Sequence, residues 1–463
     1  MSFSPERLRL ALEACLSLAG RPAPTSLCVA LSGGLDSTVL LAALAEDPPR
    51  PLRAVHVDHG LHPDSPRWAE ACQTLAAGLG VPLAEARVAA HPAPGESPEA
   101  AARAARYAAI ATTLRPGEAL LTAHHADDQL ETVLLQWLRG GGLRAVAGMA
   151  PCARLGRAWQ LRPLLGFTRA ELHAWARVRG LVWLEDPSNA DPRFDRNYLR
   201  LEVLPALRER WPAIARTAGR VAAYAAEALE AEAAVAAADL AAVAEGATLV
   251  LEPLQALPQA RARAVLRSWL RALGLPVPAQ RTLAALLHDM RAAAGDRIPS
   301  VNWPGAVVHR YRGRLYASPP EPKGPPVKGP WWPARGLRVE LGAAGALELV
   351  AAQGTGLSRT RLPERLEVGA RVAGVSFQAA GHAHRRPLRK WLQEHGVLPW
   401  RREGLPIITT EAGEVVAVAD LACAAEFAAR PDEPSWCVRW HGRPILREVE
   451  VRSFNWPADP PIL

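Results

Sequence analysis

Lysine is almost absent from this chain of 463 residues, and it occurs only at positions 323, 328 and 390. Arginine therefore carries most of the positive charge, and the formal net charge is +8 at pH 7. A basic protein favours polyanionic partners such as RNA. An arginine-rich coding bias explains part of the excess, so the charge alone gives weak support for nucleic-acid binding.

Paired cysteines and long apolar runs are also missing. The six cysteines are scattered without a C-x-x-C pair, which argues against a zinc site or a disulfide framework. Free thiols are typical of a reducing compartment, so we expect a cytoplasmic protein. No apolar run reaches the roughly 18 residues that span a membrane. Charged residues are spread through the first 20 positions, which predicts an amphipathic helix rather than a secretion signal.

Residues 27–135 alternate between strand-like and helix-like stretches. Such alternation predicts βαβ units and an α/β fold, in which a parallel sheet carries helices on both faces. Polar clusters follow three of the predicted strands, at Ser32–Ser37, Asp58-His59 and His124–Asp128. Because ligands of parallel sheets bind at the carboxyl ends of the strands, we expect these clusters to share one edge.

The character of the chain changes after about residue 204. Ala-rich and amphipathic helical patterns are followed by a hairpin pattern centred on Arg312-Gly313, and then by a proline-rich stretch typical of a linker or an edge segment. The remaining sequence is β-leaning. We predict an N-terminal domain at 1–204, a mainly helical middle domain at 205–318, a linker at 319–335 and a small α+β C-terminal domain at 336–463.

The stretch SGGLDS, residues 32–37, lies between a predicted strand and an Ala/Leu-rich helix. This arrangement binds phosphate through backbone N–H groups and the helix dipole, although a purely structural turn is the alternative. It is not a Walker loop, because no lysine precedes Lys323. An acid inside an anion-binding loop implies a bridging cation, so Asp36 predicts Mg²⁺. The predicted nucleotide site comprises Ala30, Ser32, Gly33, Gly34, Leu35, Asp36, Ser37 and Val57.

The loop resembles the pyrophosphate loop of the N-type ATP pyrophosphatases, which split ATP into AMP and pyrophosphate by adenylating an oxygen of a second substrate. Further segments, in the same order, resemble the tRNA(Ile)-lysidine synthetase family in its long bacterial form. They are Val57–Ser65, Glu96–Tyr107, Ala123–Gly142, Leu161–Leu165, Glu185–Leu207 and Arg389–Leu421. His62 stands where the family usually has an arginine.

The resemblance implies an activity, its cofactors and its partners. The family uses ATP and Mg²⁺ to adenylate the wobble cytidine of a CAU-anticodon tRNA(Ile), and free L-lysine then replaces AMP at C2 to give lysidine. Pyrophosphate and AMP are released, and codon reading changes from AUG to AUA. Residues 1–204 would be catalytic and 336–463 would bind tRNA. We expect no membrane association, and a homodimer is one candidate assembly.

Asp127, Asp128 and Glu131 fall at helical spacing just after a predicted strand end. Acids beside a nucleotide loop can bind Mg²⁺, attract a cationic amine and accept its proton, whereas capping of the helix dipole is the alternative. The resemblance implies that Arg196 clamps the adenylated intermediate, with a structural ion pair as the alternative. His124 and His125 could polarise a phosphate or be buried imidazoles. The metal candidates are Asp36 and Asp127, and the catalytic candidates are Asp36, Asp127, Asp128, Glu131 and Arg196.

Basic residues in two predicted helices and one turn are candidates for RNA contact, and an ordinary solvated surface is the alternative. They are Arg103, Arg106, Arg139, Arg386, Arg389 and Lys390. Arg139 precedes a Gly-Gly-Gly turn, which suits a phosphodiester. Trp400 follows the C-terminal basic segment, where it could stack on a base.

Three other functions stay open at this point. A tRNA thiolase uses the same adenylation but usually needs paired or cluster-forming cysteines, and only Cys28 is predicted near the polar edge. A non-catalytic RNA-binding protein would not need Asp36 or the acids at 127–128. A synthetase acting on a small metabolite leaves the basic C-terminal segment unexplained.

Overall fold

The computed structural model describes residues 2–20, 22–58, 65–88, 98–185, 191–292, 298–320, 329–334, 336–369, 374–444 and 446–447. The chain divides into two compact units, one that ends at Glu232 and one that begins at Ala233. The division falls inside a single long helix, Ile214–Val243. Among the described residues, no helix is both long and apolar enough to cross a membrane.

The first unit is built on a six-stranded sheet with the strand order β3-β2-β1-β4-β6-β5. Its strands are β1 Ser26–Ala30, β2 Leu52–Asp58, β3 Leu83–Arg87, β4 Glu118–Leu121, β5 Cys152–Leu155 and β6 Ala158–Leu161. Neighbouring strands are parallel, except that β5 runs antiparallel to β6 at one edge. The predicted parallel sheet is therefore confirmed, and the antiparallel edge strand is an addition to it.

Helices connect the strands of this unit. They are α1 Pro5–Leu18, α2 Leu35–Ala45, α3 Ser65–Gly78, α4 Pro98–Thr113, α5 Ala126–Leu138, α6 Leu143–Val146, α7 Arg169–Val178, α8 Asp195–Tyr198 and α9 Leu204–Arg210. A π-helical turn, Leu199–Val203, joins α8 to α9.

Alternate residues of β1 face opposite sides of the sheet. Leu27 and Val29 pack in one buried cluster with Val39 of α2. Cys28 packs in a second buried cluster with Ile110 of α4. A strand that is apolar on both faces is typical of a parallel sheet covered by helices on both sides. The predicted two-sided α/β architecture is confirmed.

The second unit begins with the C-terminal part of α10, Ile214–Val243, and continues with α11 Leu251–Ala256, α12 Gln259–Ala272 and α13 Gln280–Ala292. A five-stranded sheet packs against these helices. The region therefore contains more β-structure than the predicted mainly helical domain. Its strands are β7 Ala244–Glu245, β8 Thr248–Val250, β9 Ser300–Trp303, β10 Ala306–Tyr311 and β11 Arg314–Ser318. The predicted hairpin is confirmed, and Arg312 and Gly313 both have positive φ, as a two-residue hairpin turn requires.

The C-terminal region is rich in short strands, with one helix, α14 Leu388–Glu394. Its strands are β12 Gly329–Trp331, β13 Arg338–Glu340, β14 Ala346–Gln353, β15 Leu357–Ser358, β16 Leu366–Gly369, β17 Ser376–Phe377, β18 Arg386–Pro387, β19 Ile407–Thr409, β20 Val415–Val418, β21 Ala422–Cys423 and β22 Pro434–His441. They form sheets of order β12-β16-β19-β20-β21 and β13-β14-β22-β15, and a β17-β18 pair. The edge strand β12 lies within the proline-rich stretch and buries Trp331, so that part of the stretch is not a linker.

Glu433 ties two segments of the C-terminal region together. Its carboxylate accepts hydrogen bonds from the Arg430 backbone N–H at 2.8 Å, the Thr360 hydroxyl at 2.9 Å and Arg361 Nη2 at 2.8 Å, and also from the Ser358 hydroxyl. These donors, the Arg430 N–H foremost, lower the pKa of Glu433 to about 2. Their stabilising effect is therefore present above the pKa of an unfolded glutamate and is lost as the pH falls towards 2.

We predict that Glu433→Gln lowers the melting temperature at pH 7, because an amide carries no charge for Arg361. The difference from wild type should shrink as the pH falls from 4.5 towards 2, where the wild-type carboxylate takes up a proton. Thermal unfolding followed by circular dichroism at pH 7, 5 and 3 measures this. Glu340→Gln removes an exposed pair with Arg338 and should change little. A difference that does not vary with pH would contradict the account.

Candidate active site at the carboxyl edge of the first sheet

The SGGLDS loop leaves β1 and enters α2 as a closed turn. Gly33 has a φ of +81°, which strains any other residue, and a Cβ at this position would lie 2.9 Å from Leu184 Cδ1, so glycine is favoured here. The Ser37 hydroxyl accepts a hydrogen bond from the Ser32 N–H at 3.2 Å and donates one to the Gly34 carbonyl at 3.1 Å. Since Ser37 and most of the rest of α2 are buried, the loop is held in place before any ligand binds.

His125 connects this loop to the first turn of α5. It is almost fully buried, and its Nε2 lies 3.5 Å from Asp36 Oδ2 and 3.4 Å from Asp128 Oδ2. His125 and Asp128 also cap the helix reciprocally, because each side chain accepts a hydrogen bond from the other residue's backbone N–H. Burial by itself would lower the pKa of His125, but Asp128 and Asp36 outweigh it and raise that pKa.

The predicted convergence of polar clusters is therefore confirmed for two of the three, Ser32–Ser37 and His124–Asp128. Ala30 and Val57 lie in or at the carboxyl halves of β1 and β2, next to this edge. His59 and His62 lie outside the described residues, as does the segment 186–190. His124 is half-buried, and its Nδ1 lies 3.0 Å from the Thr122 hydroxyl.

The acids of α5 are paired with arginines from the segment that contains α8 and α9. Glu131 is buried, and its carboxylate accepts hydrogen bonds from Arg196 Nε at 2.7 Å and Arg200 Nε at 2.6 Å. Arg200 Nη2 also reaches Asp128 Oδ1 at 2.9 Å. Arg196 thus makes the ion pair that was the alternative to its proposed role on an intermediate, and the two roles are compatible because 27% of its side chain is exposed.

Asp127 is held in the same way. Its Oδ1 accepts a hydrogen bond from Arg208 Nη2 at 2.7 Å, and its Oδ2 accepts one from the Arg169 backbone N–H at 2.7 Å. Arg200 and Arg208 were missed by the sequence analysis. The spacing of four residues between Arg196 and Arg200 was the available signal, since it places both on one face of a helix.

The carboxylate oxygens at this edge can be compared with the ligands that Mg²⁺ prefers. Asp36 Oδ1 is inaccessible and has no hydrogen-bond partner among the described residues, which suits a metal ligand. Both oxygens of Asp127 are already engaged, so it could bind a metal only by giving up Arg208 or Arg169. The described residues contain no group of three His, Cys, Asp or Glu side chains that could hold a metal. Mg²⁺ commonly takes one or two carboxylates with waters and phosphate oxygens, so Asp36 fits it.

Comparison with known proteins matches family models to three parts of the chain. They are a PP-loop domain at residues 11–207, a TilS substrate binding domain at 249–316 and a TilS substrate C-terminal domain at 366–440. A tRNA(Ile)-lysidine synthase from Alkalilimnicola ehrlichii is 46% identical over 87% of this chain and 91% of its own length. Another, from Methylococcus capsulatus, is 39% identical over 89% and 95%. The chain belongs to the tRNA(Ile)-lysidine synthase family.

Two of the solved structures that resemble this lysidine synthase family member each cover about half of it. The U34-tRNA thiolase NcsA from Methanococcus maripaludis has a TM-score of 0.38 and 17% identity, and the match covers 47% of this chain and 78% of that chain. The NH3-dependent NAD synthetase from Campylobacter jejuni has a TM-score of 0.29 and 12% identity, with coverage of 48% and 95%. The PP-loop match supports ATP as the nucleotide of the family site.

The candidate RNA contacts lie in different settings. The side chain of Arg103 is outside the described residues, and Arg106 lies over the Tyr107 ring at 5.6 Å. Arg139 forms an exposed ion pair with Asp195 at 2.9 Å. On and beside α14, Arg386 pairs with Glu394 at 2.8 Å, whereas Arg389 and Lys390 are exposed.

One face of the half-buried Trp400 ring is occupied. Its ring stacks on His309 with 4.2 Å between ring centroids, and Tyr311 and Tyr316 meet it edge-on. Stacking of Trp400 on RNA stays a prediction, and it is limited to the ring face that His309 of β10 does not occupy. Burial lowers the pKa of His309 to about 4, so this ring is neutral against Trp400 at pH 7.

Cys72 is a second thiol near the polar edge, in addition to Cys28. A Cβ on Gly33 would lie 3.1 Å from Cys72 Sγ, which places this sulfur under the loop. Burial raises the pKa of Cys72 and that of Cys28 to about 12. Both thiols are therefore protonated at pH 7, and neither resembles the reactive thiolate that sulfur transfer needs.

We predict that Gly33→Ala weakens ATP binding by at least tenfold and lowers the melting temperature. A left-handed non-glycine residue costs about 1–2 kcal/mol, and the clash with Leu184 adds to it. Gly34→Ala is the matched control, because its φ is −74° and its added Cβ meets Ser32 Oγ at an ordinary 3.5 Å. Calorimetric titration with ATP and thermal unfolding measure both effects. Equal behaviour of the two variants would show that the loop geometry is not decisive.

Proposed function

We propose that this protein ligates free lysine to C2 of the wobble cytidine of a CAU-anticodon tRNA(Ile), using ATP through an adenylated cytidine. The observation that carries the proposal is the contact of His125 with Asp36 and Asp128. It joins the nucleotide loop to the acids of α5 in one site. The likeness to tRNA(Ile)-lysidine synthases over most of the chain supplies the substrate.

The first half-reaction is the adenylation of the base. The N–H groups of the loop, the N-terminal end of α2 and the Ser32 hydroxyl would bind the phosphates of ATP, and the Ser37 hydroxyl keeps the loop closed. Asp36 would hold Mg²⁺, which would neutralise charge on those phosphates. The target cytidine must leave its stack to reach the edge. Its O2 attacks the α-phosphorus, pyrophosphate departs, and O2 becomes part of an AMP leaving group.

The second half-reaction replaces AMP by lysine. The ε-ammonium of lysine loses a proton, its nitrogen bonds to C2, and the C2–O2 bond breaks so that AMP leaves with that oxygen. Asp127, Asp128 and Glu131 are the proposed acids for binding this amine and taking its proton. Asp127 is the best placed, because its partner Arg208 is 39% exposed and can turn away to solvent. Arg196 is proposed to stabilise the adenylated intermediate.

The tRNA is proposed to contact basic residues of several segments, which are Arg103, Arg106, Arg139, Arg386, Arg389 and Lys390. Arg389 and Lys390 support this best, since both are exposed on α14 beside the exposed Arg385 and Arg386. We place the reaction in the cytoplasm, where tRNA, ATP and free lysine meet. A homodimer remains the candidate assembly, and sedimentation of the purified protein tests it.

We predict that the protein transfers labelled lysine to unmodified CAU-anticodon isoleucine tRNA when ATP and Mg²⁺ are present. The label should survive mild alkali, because an aminoacyl ester is hydrolysed there and a carbon–nitrogen bond to the base is not. The Asp36→Ala variant should transfer none. An isoleucine tRNA with a GAU anticodon is the matched control RNA and should stay unlabelled.

Other outcomes would redirect or end the proposal. AMP formation that depends on tRNA but leaves no lysine on it would retain adenylation and point to another nucleophile. ATP turnover without any RNA would favour a small-metabolite synthetase. Neither label nor AMP would leave an RNA-binding protein with a nucleotide fold.

A further inference from the structure

Glu131 holds two guanidinium groups side by side. Its Oε1 accepts a hydrogen bond from Arg200 Nε at 2.6 Å, and its Oε2 accepts hydrogen bonds from Arg196 Nε at 2.7 Å and Arg200 Nη2 at 3.0 Å. Only 1% of the Glu131 side chain is exposed. A buried carboxylate that receives three charged donors is locked in one orientation.

Each arginine keeps one donor group for a ligand. The Nη1 atoms of Arg196 and Arg200 make no hydrogen bond within the described part of the chain. Their side chains are 27% and 33% exposed, so both arginines are accessible from solvent. Arginine binds oxyanions through such planar, paired N–H groups, and fixing the guanidinium beforehand reduces the entropy lost on binding.

The arginine pair is linked to the nucleotide loop by direct contacts. Arg200 Nη2 lies 2.9 Å from Asp128 Oδ1, Asp128 Oδ2 lies 3.4 Å from His125 Nε2, and that nitrogen lies 3.5 Å from Asp36. An anion held by Arg196 and Arg200 would therefore lie at the same sheet edge as the nucleotide loop.

We propose that Arg196 and Arg200 form a clamp for an oxyanion of the reactants, and that Glu131 is the positioning residue that aligns them. Arg200 is thereby a second catalytic arginine, which the sequence analysis did not single out. This inference rests on the proposed function for its reactants. Two of them present the required oxyanion, namely the α-phosphate of ATP or the adenylate, and the α-carboxylate of free lysine.

The test compares Arg200→Ala, Arg200→Lys and Glu131→Gln with wild type. Arg193→Ala is the matched control, because Arg193 lies in the same segment, is 86% exposed and pairs with Asp191. Arg200→Lys keeps the positive charge but removes the planar pair of N–H donors. This variant still tests the clamp if Arg200→Ala fails to fold. Thermal unfolding reports on folding, and single-turnover adenylation without lysine is measured separately from lysine transfer.

The two sources of the oxyanion give different results. If the clamp holds the phosphate, adenylation should slow by about 100-fold or more in Arg200→Lys, with the KM for lysine unchanged. If it holds the carboxylate, adenylation should stay normal and the KM for lysine should rise by at least tenfold. In that case the variant should no longer prefer lysine over cadaverine, which has the same amine without a carboxylate. In both cases Glu131→Gln should shift the same parameter in the same direction, and Arg193→Ala should leave it unchanged.

Direct binding separates the failure of this inference from failure of the proposed function. AMP and free lysine are titrated calorimetrically into each folded variant, without tRNA. A loss of affinity for either ligand in Arg200→Lys would support the clamp even if wild type did not modify tRNA. Unchanged affinities together with unchanged rates would overturn it. Parameters that all fall in proportion to the folded fraction would also overturn it, because that result describes a purely structural ion pair.

Discussion

Three carboxylates on one helix cannot be buried without positive charge beside them. The structure of the first unit depends on the arginines that provide this charge. Asp127, Asp128 and Glu131 are each less than 10% exposed. An isolated buried charge is very costly, and breaking a buried pair by removing one partner costs about 3–5 kcal/mol. The arginines come from the α8–α9 segment, more than 60 residues further along the chain. Pairing therefore fixes that segment against α5, beside the edge of the sheet that carries the loop.

The resulting site offers both signs of charge along one sheet edge. Its reactants need both, because ATP and RNA are anionic, whereas lysine brings an ammonium and a carboxylate. The sequence pattern predicted acids that are available to bind a cation. In the structure, the carboxylates of α5 are already paired with arginines. Asp36 differs, since its Oδ1 has no hydrogen-bond partner in the described part of the chain. We propose that cations are accepted at Asp36 and, by exchange with Arg208, at Asp127, and that the arginines bind anions.

Local patterns predicted the sheet and the loop well, because strands, helices and glycine turns are determined largely by residues that are close in the sequence. The SGGLDS turn and its approach to His124–Asp128 follow from strand ends alone. Long-range side-chain partners did not follow. Arg200 could be placed on a helix face, but its partner Glu131 depends on how α8 packs. The packing of Trp400 did not follow for the same reason, since its stacking partner His309 belongs to another region.

The central claim is that this edge adenylates RNA with ATP before lysine enters. The most direct measurement uses ATP labelled at the α-phosphate, unmodified CAU-anticodon tRNA and no lysine, with the reaction quenched at successive times. The account predicts that label enters the tRNA, and that added lysine then releases it as labelled AMP. The account would be contradicted if lysine were incorporated at a normal rate while no label appeared on the RNA at any time.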